Sequence, residues 1–377
     1  MGIQAKTTFY LKNDLFNEKT VGQLANRLSL ADKSIDARKF SRQVLKPFES
    51  LELKERIHWI VTVLESTLPS EFEKAVEILK KALPEPLDPS RTDDDFGHFI
   101  WVTPGEYVAR HGCTSGRLAT SLNFLRDATM RFSSEFSIRP FLKAFPEETM
   151  RFIHDCTGAD NYHVRRLASE GIRPYLPWAE RVIVPHEEIV SVLNKLHSDP
   201  TRFVTRSVAN TLNDLSKTNP DLVISTLKEW QKSARQEPGE TTWMVRHSLR
   251  TLLKQDSASA LQMLGYPLNP KFVITNQKVS KRVKIGESFY WQCHLKSSVR
   301  QQLKVLLRIG FLKANGSHSE KVFSVSDARF DRGQILEINK QQGFRPMTTR
   351  VLYPGNHYAE LVVNGNTHKR IQFEVCV

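Results

Sequence analysis

Cysteine is scarce in this chain. The four present, Cys113, Cys156, Cys293 and Cys376, show no CxxC spacing. That argues against a zinc site and against a disulfide-stapled secreted domain, and makes a reducing cytoplasm the simplest home. Long apolar runs are missing, so no transmembrane helix and no membrane partner are expected. The opening MGIQAKTTFYLKND lacks the apolar core of a secretory signal. Position 6 is Lys rather than Ser or Thr, so the myristoylation pattern fails. Acidic residues are in deficit, 41 against 54 basic, for a net charge of +13. The deficit is uneven. Residues 268–377 hold 18 basic and 7 acidic side chains, a net of +11, which leaves +2 for 1–267. A polyanion is the natural partner of such a region. A hydrophobic share of 40% with 25% charged residues is ordinary for a globular chain of 377 residues, long enough for two or three domains.

What is present first is helix. FEKAVEILKKAL (72–83), RLATSLNFLRDATMRF (117–132), PHEEIVSVLNKL (185–196), NPDLVISTLKEW (219–230) and SASALQML (257–264) carry helical apolar spacing. Several open on Pro, Asn or Ser, as helix starts do. The Pro- and Asp-rich LPEPLDPSRTDDDFG (83–97) interrupts them as a loop. In NYHVRRLASEGIRPYLPW (161–178), Val164, Leu167, Ala168 and Gly171 make one apolar helix face. Arg165, Arg166, Ser169 and Glu170 fall off that face, toward solvent or a ligand. Arg166 precedes Glu170 by four residues, the weaker order for a stabilising surface pair.

This segment repeats. A step of 40 residues carries Val164, Ala168 and Ile172 onto Val204, Val208 and Leu212, then onto Met244, Ser248 and Leu252. Only Ser248 breaks the stripe, with Leu249 beside it. A period near 40 built from helix pairs predicts a HEAT-like α-solenoid over 1–267. The same step aligns Arg166, Arg206 and Arg246 into an expected surface row, with Glu170, Asn210, Asp214, Arg250 and Lys254 beside it.

After LGYPLNP (264–270) the period shortens. About seven short runs rich in Val, Ile, Phe and Tyr follow, separated by Gly286, Asn315-Gly316, Pro354-Gly355 and Asn364-Gly365. They predict an all-β, immunoglobulin-like sandwich over 268–377, in which Cys293 and Cys376 are candidates for pairing.

RFSSEFSIRPFL (131–142), HVRRLASEGIRPYLPW (163–178), TRSVANTLNDL (205–215) and WMVRHSLRTLLK (243–254), with FLKANG (311–316) and MTTRVLYPGNH (347–357) in the tail, together resemble the AlkC branch of the alkylpurine DNA glycosylases, HEAT-like enzymes related to AlkD. The resemblance spans almost the whole chain. It implies a DNA repair enzyme that excises N3-methylated bases, notably 3-methyladenine and 3-methylcytosine, from double-stranded alkylated DNA without base flipping, and without metal or cofactor. It implies catalytic roles for Glu135, Glu170 and Asp214, with Trp178 as the aromatic contact to the lesion. Arg139, Arg165, Arg166, Arg173, Arg206, Arg246, Arg250, Lys254 and Arg350 become the expected DNA contacts. Tyr175 and Thr205 stand where the family often has Arg. A cytoplasmic monomer, on the nucleoid when bound to DNA, is expected.

The chemistry is consistent with those residue types. N3-methylation makes the base cationic and weakens its bond to the sugar, so no leaving-group acid is required. Carboxylates can stabilise the oxocarbenium-like sugar and position water. No His–Ser or His–Cys arrangement competes with them, and His163 and His247 read as phosphate contacts or surface residues. Two alternatives share the basic features: a non-catalytic HEAT-type protein binding damaged or branched DNA, and a scaffold for acidic peptides.

Overall fold

The computed structural model describes residues 11–91, 93, 96–345 and 351–377. Arg350, with the rest of the Thr348-Thr349-Arg350 motif, lies outside them. The helices are α1 (Leu11–Leu15), α2 (Glu18–Ala31), α3 (Ala37–Leu45), α4 (Leu53–Thr67), α5 (Phe72–Ala82), α6 (Val102–Gly112), α7 (Leu118–Thr129), α8 (Arg139–Ala144), α9 (Pro146–Cys156), α10 (Tyr162–Glu170), α11 (His186–Leu196), α12 (Arg202–Leu215), α13 (Pro220–Ser233), α14 (Pro238–Ser248), α15 (Arg250–Lys254) and α16 (Ala258–Met263). Local chemistry sets many of their starts. Asn17 caps α2 in a reciprocal box with Thr20, Asp36 caps α3, and Pro146 opens α9.

From α9 onward the helices run as pairs near the expected period. α10 packs on α9 and on α12, and α12 packs on α11 and on α14. All nine stripe positions are buried, and Ser248 is as fully enclosed as its apolar counterparts. Burying each Val, Leu, Ile or Met there contributes roughly 1.5–3 kcal/mol. At the end of α10, Gly171 permits a close approach. A Cβ on it would lie 2.9 Å from Ile138 Cγ2 and from Leu167 O. The turn at 133–138, just before α8, is thereby brought against α10.

The strands are β1 (Phe272–Val279), β2 (Arg282–Lys284), β3 (Ser288–Ser297), β4 (Gln301–Leu312), β5 (His318–Phe330), β6 (Ile335–Gly343), β7 (Gly355–Val363) and β8 (Asn366–Cys376). They form one sheet in the order β1-β3-β6 and another in the order β2-β8-β7-β4-β5. All pairings are antiparallel except β2 with β8. Alternation along β3 turns Phe289, Trp291, Cys293 and Leu295 inward. There they share a core with Leu303, Val305, Leu307, Ile309 and Phe311 of β4 and with Phe373 and Val375 of β8. Cys293 and Cys376 are free thiols.

Packing divides the chain earlier than periodicity does. One compact unit runs to Thr218 and includes Thr226–Ser248; the other is Asn219–Ser225 with Leu249–Val377. Residue 268 marks the change from helix to strand, but α15 and α16 belong with the sheets. Tyr266 donates to Asp327 at 2.6 Å, Lys304 Nζ donates to Leu253 O at 3.2 Å, and Asn364 Nδ2 donates to Pro267 O at 3.0 Å.

Candidate active site

The turn at 133–138, α10, the loop after it and α12 bring three acids together in the helical unit. Glu135 stands in the turn. Its Oε2 accepts from Ser133 Oγ at 2.7 Å and from Arg166 Nη1 at 2.9 Å. Glu170 ends α10. Its Oε1 accepts from Arg173 Nη1 at 2.6 Å, and its Oε2 accepts from Ser207 Oγ at 2.6 Å, with Arg166 Nη2 at 3.6 Å. Ser169 Oγ in turn donates to Ser207 Oγ at 2.5 Å. Asp214 of α12 accepts from Arg173 Nε at 3.0 Å and from Lys217 Nζ at 3.1 Å. The side chains of Glu170 and Asp214 are only 4% and 3% exposed, whereas Glu135 keeps 16%. Glu135 Oε1 accepts from no described residue.

The environments of Glu135 and Glu170 push their acidities apart. Burial raises the Glu135 pKa above the ordinary carboxylate value. Arg166 opposes that shift and the Glu170 charge reinforces it. Burial acts on Glu170 in the same direction, but Arg166, Arg173 and the Ser207 hydroxyl outweigh it, and its pKa is lowered. Glu170 is therefore a fixed anion and Glu135 the more basic partner.

Several expected positions are corrected by this geometry. Ser169 and Glu170 are buried rather than open to solvent. Arg166 does not face outward. It bridges Glu135 and Glu170, and its guanidinium lies 4.4 Å over the Phe203 ring. Arg173 bridges Glu170 and Asp214. Arg139 is 2% exposed, and its guanidinium donates to the carbonyls of Glu180 at 2.6 Å, Gly171 at 2.9 Å and Arg173 at 3.0 Å. It fastens the loop after α10, and its burial leaves almost no surface for a phosphate. Arg165 clasps Asp199 and the carbonyls of Ala159 and Asp160. These four arginines are occupied inside the protein, because a guanidinium leaving water needs acceptors for its donors. His163 is buried in a ring cluster with Tyr162 and Phe203. His247 stacks on Trp243 and contacts Asn210 Oδ1 at 2.8 Å.

The remaining expected cations are more open. Arg206 is partly exposed and pairs with Asp93, Arg246 and Lys254 are exposed, and Arg250 is half-buried. Trp178 is 59% exposed and has a left-handed backbone with φ +64°, unusual for a side chain of this size. Tyr175, where the family often has Arg, lies under two cations: Lys217 Nζ at 4.5 Å and Arg181 at 5.0 Å. Thr205 is buried and donates to Glu240. Among the described residues no group of three His, Cys, Asp or Glu is arranged to hold a metal ion.

Ser133, Ser207 and Phe203 are site residues that sequence reasoning missed. The available signal was Ser207, a hydroxyl between the buried Val204 and Val208 on the apolar side of its helix.

Residues 273–377 match the family described as uncharacterised protein YhaZ, C-terminal Ig-like domain. The uncharacterized protein YhaZ of Bacillus subtilis (strain 168) is 30% identical over 368 residues, covering 96% of this chain and 99% of YhaZ. The structure of Pseudomonas fluorescens alkylpurine DNA glycosylase AlkC, bound to DNA containing an abasic site analog, is similar with a TM-score of 0.83 at 29% identity, covering 97% of this chain and 99% of AlkC. Both likenesses run through the helical repeats and the β domain alike, and the chain belongs to the AlkC–YhaZ family.

Proposed function

We propose that this protein is a DNA repair glycosylase that hydrolyses the N-glycosidic bond of cationic N3-methylated bases, 3-methyladenine and 3-methylcytosine, in double-stranded alkylated DNA. The observation that carries the reading is the buried acid cluster, in which Glu170 is saturated by cationic and hydroxyl donors while Glu135 keeps one free oxygen. The overall likeness to AlkC supports it. In this reading the helical pairs form a HEAT-like solenoid that presents the acids to the duplex without base flipping. The immunoglobulin-like domain supplies sequence-independent affinity for phosphates through its charge.

The two glutamates divide the work. Glu170, held ionised, stabilises positive charge as it builds on the sugar. Two unit charges about 4 Å apart interact by roughly 4 kcal/mol at an effective dielectric near 20. Glu135 takes the proton of the attacking water through Oε1. The water oxygen bonds to C1′, and the C1′–N bond breaks with its electron pair going to the base. The methylated ring is thereby neutralised, so no acid need protonate it. A neutral base gains much less from Glu170, which makes the lesion's charge the basis of selection. Asp214 orients Arg173, and Trp178 contacts the lesion nucleotide. Arg206, Arg246, Arg250 and Lys254 remain the phosphate contacts within the helical segments, and Arg206 must first release Asp93.

The test is incubation of the purified protein with methylated duplex DNA, with chromatography of the free bases. Release of 3-methyladenine or 3-methylcytosine is expected. DNA binding with no base released would favour a non-catalytic DNA-binding protein instead.

A further inference from the structure

Beside the acid cluster, the helical unit contains a cavity of about 220 Å³. Its walls are apolar and aromatic, with Ile57 from α4, Phe99 before α6, Phe136 from the turn before α8, and Trp178. Two acids line it, Glu106 of α6 and Glu180, which pairs with Lys143, and Lys54 is a cationic lining residue. Ser137 Oγ donates to Glu106 Oε1 at 2.6 Å, and Oε2 accepts from no described residue. The approach of the two segments depends on Gly105, where a Cβ would stand 2.8 Å from Ser137 Oγ. Burial raises the Glu106 pKa, partly offset by Ser137 and by the His58 and Arg110 charges.

The cavity adjoins the acids. Phe136 follows Glu135 in the chain. Arg139, also in the wall, is pushed down to about 10 mainly by burial, with Arg173 adding to the shift, while Glu135, Glu170 and Asp214 are near enough to oppose it. An aromatic-walled slot with a half-buried carboxylate oxygen that no described residue engages matches a planar ring that carries an amino donor on its edge. We propose that this cavity receives the leaving base, stacked on Trp178, with its exocyclic amino group donating to Glu106 Oε2. The proposal rests on the glycosylase reading and adds where the product goes. It also predicts which free bases the cavity retains after cleavage. Adenine- and cytosine-derived bases carry an amino group where keto bases would set an oxygen against the carboxylate.

The test is titration of the full chain with free 3-methyladenine, read by calorimetry and as inhibition of base release from methylated DNA. Saturable binding and competitive inhibition are expected. Glu106→Gln should weaken binding roughly tenfold, the loss of one charge-assisted hydrogen bond. Hypoxanthine, with a keto oxygen in place of the amino group, should bind at least about tenfold more weakly. Ile57→Trp, which fills the slot from the partly exposed α4, should abolish binding and inhibition while circular dichroism and melting temperature stay unchanged. Equal binding by wild type and Ile57→Trp, or no binding to wild type at millimolar base, overturns the proposal. If bases are released but none binds, the cavity assignment fails and the glycosylase reading stands. If free base binds but none is released from DNA, the enzyme reading falls and the leaving-base role with it, leaving only a nucleobase site.

Discussion

Two buried ionic clusters, one in each unit, look alike in composition and differ in one respect. In the β-rich unit, Glu360 is 2% exposed. Arg308 donates to its Oε2 at 3.0 Å and Arg370 to its Oε1 at 2.5 Å, while Arg308 also holds Asp256 between α15 and α16. Each carboxylate oxygen of Glu360 has its own guanidinium, and the cluster ties a short helical segment to a sheet. In the helical unit, Glu170 is saturated in the same way, but its neighbour Glu135 has an oxygen with nothing to accept. A buried salt bridge by itself is weak evidence of function. A spare acceptor on a partly buried acid beside a fixed anion is stronger evidence, because something outside the protein must complete it.

Substitutions test that contrast, beginning with the largest effect. Glu170→Gln should lower single-turnover base release by about 10²–10³ or more, with DNA affinity by fluorescence anisotropy unchanged or tighter because a negative charge is gone. Near-normal turnover would move the reaction to another acid. Glu135→Gln should cost a similar factor and also remove the acid limb of the pH–rate profile. In the wild type that limb should lie above the ordinary glutamate value of about 4.3. Glu135 works only when ionised, and its raised pKa means the rate falls as pH drops through that raised value. The stability from Glu170 is lost in the same direction but at lower pH. Its lowered pKa means the contribution is present above the unfolded value and disappears as pH falls through the folded one.

Glu360→Gln is the counterpart in the saturated cluster. It should cost about 1–3 kcal/mol and several degrees of melting temperature, with base release per folded molecule at 25 °C within about twofold of wild type. A loss of turnover as large as that of Glu170→Gln would erase the distinction between the clusters. The smallest effect concerns charge alone. Truncation after Ser248, at the packing boundary, should flatten the salt dependence of DNA binding, the log–log slope falling by about one for each phosphate that the removed residues, Arg250, Lys254 and the β domain, neutralise. An unchanged slope would mean that neither Arg250 and Lys254 nor the basic β domain touches DNA. Cutting at 267 would be a poorer experiment, because α15 and α16 would be left without the sheet they pack on.

Much of the fold was legible because burial follows period. The stripe from Val164 to Leu252 is readable at every position but Ser248, a polar break in the sequence that the surrounding register nonetheless buries. The strand region was readable too, short of β2, whose three residues Arg282–Lys284 are too few for an alternation to register. The acids rest on the family resemblance rather than on any local pattern, and the surroundings of the arginines are not legible in the sequence. Sequence gives a guanidinium's position along a helix and not the direction of its long side chain. Arg139, Arg165, Arg166 and Arg173, expected at phosphates, have acceptors within the protein. Glu106 and Ser137 had no signal, because their meeting depends on a close approach at Gly105 that no local pattern encodes.

Arg139 has a consequence for motion. The loop from Gly171 to Val184 holds Trp178 and contains no regular helix or strand. Three carbonyls of that loop, at Gly171, Arg173 and Glu180, converge on one guanidinium. The segment thus opens and closes as a single cooperative piece rather than fraying residue by residue. In hydrogen exchange its amides should share one opening free energy. Arg139→Lys, with no planar fork to span three acceptors, should lower that value for the whole loop while leaving the exchange of α12 unchanged.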